Sequence, residues 1–225
     1  MRSAWSRCWG TFSRGWPDSG PMLFLDFSAA QIAGIAVALV VGITFHEFSH
    51  ALIADQLGDH RPRALGRVSL NPVAHIDPVG AIVFLIAGFG WGKPVPVNVY
   101  ALRPGRIGMA MVAAGGPIAN VVVAVVAAVL YRVLEMSGVE GFALEIGRWI
   151  VFFNLVLAVF NLIPIPPLDG YNVVLAFLPP KQAFIVQRYA QYGVLVLLLL
   201  ILLPGGPLSV LLAPVRPLTE VLIGA

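Results

Sequence analysis

The residues best suited to chemistry are two histidines and a glutamate in the segment HEFSH, residues 46–50. On an α-helix, positions i and i+4 lie on one face, so His46 and His50 can both bind a single metal ion. Glu47 then projects beside the metal, where a carboxylate can take a proton from an activated water and later pass it to a leaving group. The segment predicts two zinc ligands and a general base.

The position of this motif in the chain favours a metal site. The preceding residues 28–45 contain no charged side chain. His-Glu-x-x-His also occurs by chance in unrelated helices, which is the alternative interpretation. Ionisable side chains inside a membrane span are costly, however, and they usually mark a functional site. The apolar surroundings therefore favour metal binding, and they predict hydrolysis within a bilayer.

The composition predicts an all-α, polytopic transmembrane helical bundle. Hydrophobic residues make up 59% of the 225 residues and charged residues 11%, and the mean hydropathy is +0.88. These values lie far from those of soluble globular proteins. A chain of this length holds about four to six spans of roughly 20 residues, which leaves little for a soluble domain. The lipid bilayer is therefore an expected partner.

Charge and cysteine content exclude other classes of protein. The net charge is +3, but no basic run indicates nucleic-acid binding, and the basic residues are better explained as topology signals. Cys8 is the single cysteine. An intrachain disulfide and a cysteine-based zinc cluster are therefore both excluded.

The apolar stretches predict where the helices lie. A short helix is predicted over residues 171–178, and the apolar segment 79–90 is too short to span, which predicts a re-entrant or interfacial element. We predict four main spans, at residues 28–56, 108–131, 148–165 and 192–204.

Three parts of the chain are expected to differ in role. Residues 1–27 are expected to form a flexible N-terminal extension, because they lack an apolar core of signal-peptide length. Residues 28–204 should form the membrane core that carries the chemistry. Residues 205–225 form an apolar tail interrupted by Pro214, Arg216 and Pro217, which predicts an interfacial helix or a partial span.

Charged residues in the loops predict the orientation. Segment 132–147 is dominated by Glu135, Glu140 and Glu145, whereas basic residues dominate segment 57–107. The positive-inside rule then places segment 57–107, and the metal motif beside it, toward the cytoplasm. The N-terminal arginines argue for the opposite orientation. The basic residues of segment 57–107 are Arg61, Arg63, Arg67, Lys93, Arg103 and Arg106.

A catalytic zinc site usually has three protein ligands, so one is still to be found. Asp169 is the strongest candidate, because it lies in apolar surroundings after Pro164, Pro166 and Pro167 and before Gly170. Prolines prevent a regular helix there, and broken backbone at membrane depth normally lines a cavity. An N-cap for the following helix is an equally good explanation of this aspartate. His75, in a loop between prolines, is better explained as structural than as a ligand.

The segment HEFSH together with FNLIPIPPLDG, residues 160–170, resembles the site-2 protease family of intramembrane zinc metalloproteases. The resemblance implies that His46, His50 and Asp169 bind one Zn²⁺ per chain and that Glu47 is the catalytic base. It also implies a transmembrane protein substrate and a location in the bacterial plasma membrane. Segments 66–80, 90–98 and 114–120 are similar to segments of compact bacterial members.

Several residues near these motifs receive secondary predictions. Asn120 and Asn161 resemble asparagines beside the family's active site, and they could hold a substrate strand or stabilise an oxyanion. Hydrogen bonding between helices is the alternative explanation. For Asn154 it is at least as good an explanation as a role in substrate or oxyanion binding. Gly115 and Gly116 are expected to allow close packing against the metal-bearing helix.

The leading hypothesis is cleavage of peptide bonds in or near transmembrane segments of membrane proteins. Segments 79–90 and 91–99 could pair with an extended substrate or gate its entry. A catalytically silent protein that binds metal or client helices is a second hypothesis, against which the intact Glu47 weighs. A zinc-dependent lipid amide hydrolase and a metal transporter are further alternatives; a transporter is expected to have more polar residues along several spans.

Overall fold

A computed structural model describes residues 29–87, 90–203 and 207–224. The predicted N-terminal extension, residues 1–27, lies outside the described residues. Within the described residues the chain is all-α, apart from one isolated antiparallel bridge between Ile76 and Gly92. Four of the described helices are long and apolar enough to cross a membrane. The prediction of an all-α polytopic bundle is confirmed.

Three long helices form the centre of the molecule: α1 (Ala29–Gln56), α4 (Arg106–Met136) and α5 (Phe142–Asn161), all in contact with one another. Small residues bring them close together, as is common between membrane helices. A Cβ atom added to Gly42 of α1 would lie 3.2 Å from Asn154 Oδ1 of α5. The buried core of these helices includes Ile35, Ala38, Ala124, Ala128, Tyr131, Trp149 and Phe152.

The predicted bounds of the third span were wrong by several residues at each end. The span was predicted at 148–165, whereas α5 begins at Phe142 and ends at Asn161. Glu145 lies in its first turn, which is compatible with a helix end at a membrane surface. The helix ends early because residues that precede prolines, here Pro164, disfavour helical backbone angles.

The fourth span begins earlier than its predicted start at Tyr192. The chain enters helix α7 at Pro180, passes through a 3₁₀ turn at Ala190–Tyr192, and continues as α8 (Gly193–Leu202). Residues 180–201 together are long enough to cross a membrane. Polar residues in α7 (Pro180–Tyr189) concealed this start, because they lower the hydropathy of the first turns. Most of this helix faces away from the rest of the bundle.

Segment 57–105 joins α1 to α4 through short elements. These are α2 (Arg61–Ala64), a 3₁₀ turn at Pro72–Ala74, and α3 (Pro78–Ala87). At about 1.5 Å per residue, the ten residues of α3 extend roughly 15 Å, which is half the hydrocarbon thickness of a bilayer. The expectation that segment 79–90 is too short to span is therefore met by its described part.

Ion pairs hold α2 against the end of α1. Asp55 accepts hydrogen bonds from Arg63 Nε and Nη2, at 2.9 and 2.7 Å. Asp59, which is 1% exposed, accepts from Arg61 Nε at 2.8 Å and from the backbone N of Asn98 at 2.7 Å. The Arg61 guanidinium holds the pKa of the Asp59 carboxyl at about 2, below its ordinary 3.8. The corner after α1 is therefore rigidly built.

The C-terminal segment packs on the bundle. It contains α9 (Pro207–Leu212) and α10 (Val215–Ile223). Val215, Thr219 and Ile223 recur every four residues and are fully buried, and α10 contacts both α4 and α5. This helix covers part of the core that α4 and α5 share.

Arg132 of α4 fixes the end of α10. Its Nε and Nη2 donate to the carbonyl oxygens of Leu222 and Val221, both at 2.7 Å. Charged hydrogen bonds to the last carbonyls of a helix are stabilising. We therefore expect Arg132→Met to lower the free energy of unfolding by about 1–2 kcal/mol. Thermal unfolding in detergent measures this, with Arg188→Met, an exposed arginine of α7, as the control. Equal unfolding temperatures in the two variants would contradict the assignment.

Candidate metal centre

Helix α1 presents His46 and His50 side by side. Both residues are buried, and their ring centroids lie 4.6 Å apart at an interplanar angle of 88°. The carboxylate of Asp169 meets both rings: Oδ2 lies 3.1 Å from His46 Nε2, and Oδ1 lies 3.3 Å from His50 Nε2. The structure thus brings together the three predicted metal ligands, although Asp169 is more than 100 positions from the two histidines in sequence.

Asp169 reaches the histidines because the chain turns sharply after α5. It is the first residue of α6 (Asp169–Phe177). The N-cap of this helix is Leu168, and no side chain caps it with a hydrogen bond. Gly170 is buried against the end of α5, where an added Cβ would overlap the carbonyl oxygen of Leu162. Of the two explanations left open by the sequence, ligand or N-cap, the geometry favours the ligand.

Hydrogen bonds on the far sides of the rings fix their tautomers. His46 Nδ1 lies 2.6 Å from Asn120 Oδ1, and His50 Nδ1 lies 2.7 Å from the carbonyl oxygen of Val112. A carbonyl oxygen can only accept, so each Nδ1 carries a proton. In neutral imidazoles, both Nε2 atoms then present lone pairs to Asp169. A second hydrogen bond of this kind orients most metal-binding histidines.

The cluster has the chemistry of a zinc site. Two lone pairs and a carboxylate repel one another unless a cation lies among them. Asp169 Oδ2 is buried and has no hydrogen-bond partner among the described residues, because His46 Nε2, 3.1 Å away, presents a lone pair and no hydrogen. Zinc bonds of about 2.0–2.2 Å in a tetrahedron place ligand atoms about 3.3 Å apart. The two carboxylate–imidazole distances, 3.1 and 3.3 Å, are close to that spacing. One ligand atom from each of the three residues lies within 4.8 Å of the others, so this donor set suits a zinc ion.

Asn120 joins the three central helices behind His46. Its amide nitrogen donates to the carbonyl oxygen of Gly42 at 3.0 Å and to Asn154 Oδ1 at 2.9 Å, and its oxygen faces His46. Asn120 is fully buried. In this structure both amide hydrogens are donated to protein oxygens, an arrangement that orients His46. The interhelical hydrogen bond predicted as the alternative is therefore present.

Two other residues considered from the sequence have different surroundings. Asn161 donates to the carbonyl oxygen of Leu157, one turn back in its own helix, at 3.0 Å, and its substrate-binding or oxyanion role stays a prediction. His75 is fully buried, and its Nε2 lies 2.6 Å from the carbonyl oxygen of Ser69. Among the described residues, the group of side chains that could hold a metal ion consists of His46, His50 and Asp169, without His75.

Glu47 lies beside the cluster and is 14% exposed. Its carboxylate lies between two elements of segment 57–105: Arg67 Nη2 is 3.9 Å from Oε2, and a Cβ added to Gly92 would lie 3.4 Å from Oε1. The sequence identified Glu47 but gave no indication that Arg67 is near it. In the sequence, Arg67 is one of six basic residues of segment 57–107 and has no local pattern that relates it to Glu47.

Gly116 of α4 packs directly on the ligand atoms. An added Cβ would lie 2.6 Å from the Nε2 atoms of both His46 and His50. We therefore expect Gly116→Ala to displace the rings and to weaken zinc binding by about tenfold to a hundredfold. Equilibrium dialysis followed by metal analysis measures this.

Gly115→Ala is the matched control for this substitution. Its Cβ would meet Ser49 Oγ at 2.9 Å and the end of the Ile53 side chain, both of which can rotate away. This variant should keep its zinc affinity within a few-fold. Unchanged zinc affinity in Gly116→Ala would show that the rings tolerate the methyl group and would contradict the packing argument.

Comparison with known proteins agrees with this centre. The family model described as Peptidase family M50 matches residues 137–204, which include Asp169. YwhC of Bacillus subtilis, named as a candidate zinc metalloprotease, is 35% identical over 190 residues, 81% of this chain and 86% of that protein. Rip2 of Mycolicibacterium smegmatis, similarly named, is 30% identical over 191 residues, 82% of this chain and 71% of that protein.

The similarity to a third protein covers a shorter stretch. MJ0611 of Methanocaldococcus jannaschii, also named as a candidate zinc metalloprotease, is 30% identical over 153 residues, 66% of this chain and 72% of that protein. No solved structure matches the chain. Because the similarity to YwhC extends over most of both chains, this integral membrane protein belongs to Peptidase family M50, the site-2 protease family of membrane zinc metalloproteases.

Proposed function

We propose that the protein is an intramembrane endopeptidase that hydrolyses peptide bonds in or near transmembrane segments of other membrane proteins, as in regulated intramembrane proteolysis. The observation that carries the proposal is the position of the three side chains that could bind zinc. His46 and His50 belong to a helix apolar enough to cross a membrane, and Asp169 follows the end of another such helix. A peptide bond cleaved at this centre would lie close to the bilayer.

In this proposal His46, His50 and Asp169 hold one zinc ion, and Glu47 is the general base. Zinc, when bound, would supply a Lewis acid that polarises a peptide carbonyl and lowers the pKa of water. Glu47 accepts a proton from the water whose oxygen attacks the carbonyl carbon. It then passes that proton to the amide nitrogen as the C–N bond breaks. Asn120 and the Val112 carbonyl keep the imidazoles in the required tautomers.

Substrate must reach this centre in an extended form, because a helix hides its carbonyls in hydrogen bonds. Segment 91–98 has no helical residues, and Gly92 lies close to Glu47. An extended substrate could pair with this segment or pass beneath it. Crosslinking from single cysteines at Trp91 or Val95 tests the idea, and unchanged cleavage after deletion of the segment would contradict it.

The orientation of the centre is also a proposal. His46 and His50 lie near the C-terminal end of α1, and that end leads into the basic segment 57–105. Basic loops remain on the cytoplasmic side of a membrane. We therefore place the centre toward the cytoplasmic face of a bacterial plasma membrane. Labelling of a cysteine introduced at Arg103 in intact cells tests this, since an external position would react with an impermeant reagent.

Cleavage of defined substrates tests the proposed function. The purified, zinc-loaded protein is reconstituted into liposomes with single-span proteins whose spans contain helix-destabilising residues. Mass spectrometry locates the cleaved bonds. We expect cuts within or beside the span with the wild-type protein and none with Glu47→Gln. Release of fatty acids from lipid amides without peptide cleavage would instead support a lipid amide hydrolase, and the absence of both reactions would support a binding protein.

A further inference from the structure

Arg67 is a buried arginine close to the proposed base. Only 5% of its side chain is exposed. Its Nη2 donates to the carbonyl oxygen of Lys93, and its Nε is buried without a hydrogen-bond partner among the described residues. A guanidinium stays charged, and burying one costs several kcal/mol unless its partners are well placed. So few partners for a buried charge indicate a role other than stability.

The backbone before Arg67 is fixed by a helix-ending turn. Gly66 has a positive φ of +70°. The N–H of Gly66 donates to the Arg63 carbonyl at 2.9 Å, and that of Arg67 donates to the Pro62 carbonyl at 2.8 Å. This pair of bonds is a Schellman motif. Because Arg63 of α2 is paired with Asp55 of α1, the turn holds Arg67 at a fixed position relative to Glu47 on α1.

The contact between Arg67 and Glu47 orients the carboxylate without using one of its lone pairs in a hydrogen bond. At 3.9 Å, Arg67 Nη2 and Glu47 Oε2 are too far apart for a hydrogen bond. Attraction between the two charges still acts at this distance, in a site largely closed to water. A base must be oriented and must also keep a lone pair free. This loose ion pair satisfies both requirements.

The same guanidinium also holds segment 91–98 over the base. Lys93 is joined to the body of the loop on its other side, since its backbone N donates to the His75 carbonyl at 2.7 Å. Gly92 then lies against Glu47 Oε1, where a Cβ would be 3.4 Å away. Arg67 on one side and Gly92 on the other therefore confine the Glu47 carboxylate.

We propose that Arg67 is a positioning residue for the reaction, which fixes the Glu47 carboxylate and segment 91–98 relative to each other. The proposal rests on the function proposed above. It assigns Arg67 to the proton-transfer step, so that the loss of its charge lowers kcat. Zinc binding does not depend on it, and any effect on substrate affinity through segment 91–98 is smaller than the effect on kcat.

The test compares Arg67→Gln with Arg103→Gln. Glutamine keeps an amide donor but has no charge. We expect kcat for a model transmembrane substrate to fall on the order of tenfold to a hundredfold in Arg67→Gln, the usual effect of misplacing a catalytic group. Zinc content should not change, and KM should change less than kcat. Arg67→Lys, which keeps the charge, should recover part of kcat.

Arg103→Gln is the matched control. Arg103 lies in the same segment, 57–105, and is exposed. Its loss removes the same charge from the surface, so kcat should remain at the wild-type value. A fall of kcat in both variants, together with loss of zinc or of folded protein, would make Arg67 merely structural and overturn the proposal.

Other results also decide the question. Wild-type kcat in Arg67→Gln, or a raised KM with kcat unchanged, would overturn the proposal. If Arg67→Gln does not fold, Arg67→Lys decides: cleavage within about tenfold of wild type supports the role of the charge, and absent cleavage with full zinc content overturns it. Failure of the wild-type protein to cleave any membrane substrate would instead reject the proposed function itself.

Discussion

Glu47→Gln is expected to abolish proteolysis while zinc stays bound. Glutamine has nearly the shape of glutamate, but its amide cannot accept a proton from water. General acid–base catalysis contributes about a hundredfold to ten-thousandfold to enzymatic rates. Since Glu47 would serve as base and then as acid, we expect the upper part of that range. The measurement is cleavage of a reconstituted transmembrane substrate, with the zinc content of each preparation determined in parallel.

The structure explains why zinc should remain in this variant. The metal-type donors are atoms of His46, His50 and Asp169, all within 4.8 Å of one another, and Glu47 is not among them. Glu220→Gln is a suitable control, because Glu220 pairs with Arg216 one turn away on the exposed side of α10. Retained cleavage in Glu47→Gln would reject Glu47 as the base. Loss of zinc would show that Glu47 supports the metal site.

The donors themselves could be predicted because local rules decide their geometry. His46 and His50 are four residues apart in a helix, so that any helix over residues 28–56 places them together. Asp169 could be proposed from the prolines and Gly170 around it, although an N-cap explained it equally well. The N-cap alternative depended on a detail that sequence does not contain, namely where the helix begins. The structure starts α6 at Asp169 itself.

The hydrogen-bond partners of the two histidines could not be predicted, because packing between segments distant in sequence determines which groups lie beside the rings. The Val112 carbonyl is a backbone atom of an ordinary residue, and only the crossing of α1 and α4 brings it to His50. The substrate-binding or oxyanion role of Asn120 stays a prediction, and the structure adds that its amide joins α1, α4 and α5. The position of Arg67 depends on the turn at Gly66. None of these groups has a distinctive local pattern.

The errors in span bounds have a related cause. Hydropathy measures how apolar a segment is, and it ends a predicted span at the first charged residues. Helices end where backbone hydrogen bonding ends, so α5 extends past Arg148 and Glu145 to Phe142. The chain between α4 and α5 is therefore a short connection from Met136 to Phe142, where a longer acidic loop was predicted. The acidic residues that indicated topology partly belong to helices.

Asp169→Asn is expected to remove zinc from a protein that remains folded. The substitution keeps the size of the side chain and removes the charge that balances the metal. The carboxylate oxygens lie 3.1 and 3.3 Å from the two imidazole nitrogens, so an asparagine in the same place offers one neutral oxygen. Since structural zinc sites bind with about 10–16 kcal/mol from four ligands, losing one ligand should weaken affinity by a hundredfold or more.

The measurement is zinc affinity by competition with a chelator, with thermal unfolding as the check on folding. Asp77→Asn is the control, because Asp77 is an aspartate outside the cluster whose Oδ1 accepts from Gly80 N at the start of α3. It should keep its zinc. Full zinc affinity in Asp169→Asn would remove Asp169 from the ligand set. Loss of zinc with unchanged folding would show that binding needs the carboxylate, because a residue serving only the start of α6 would affect stability and leave zinc in place.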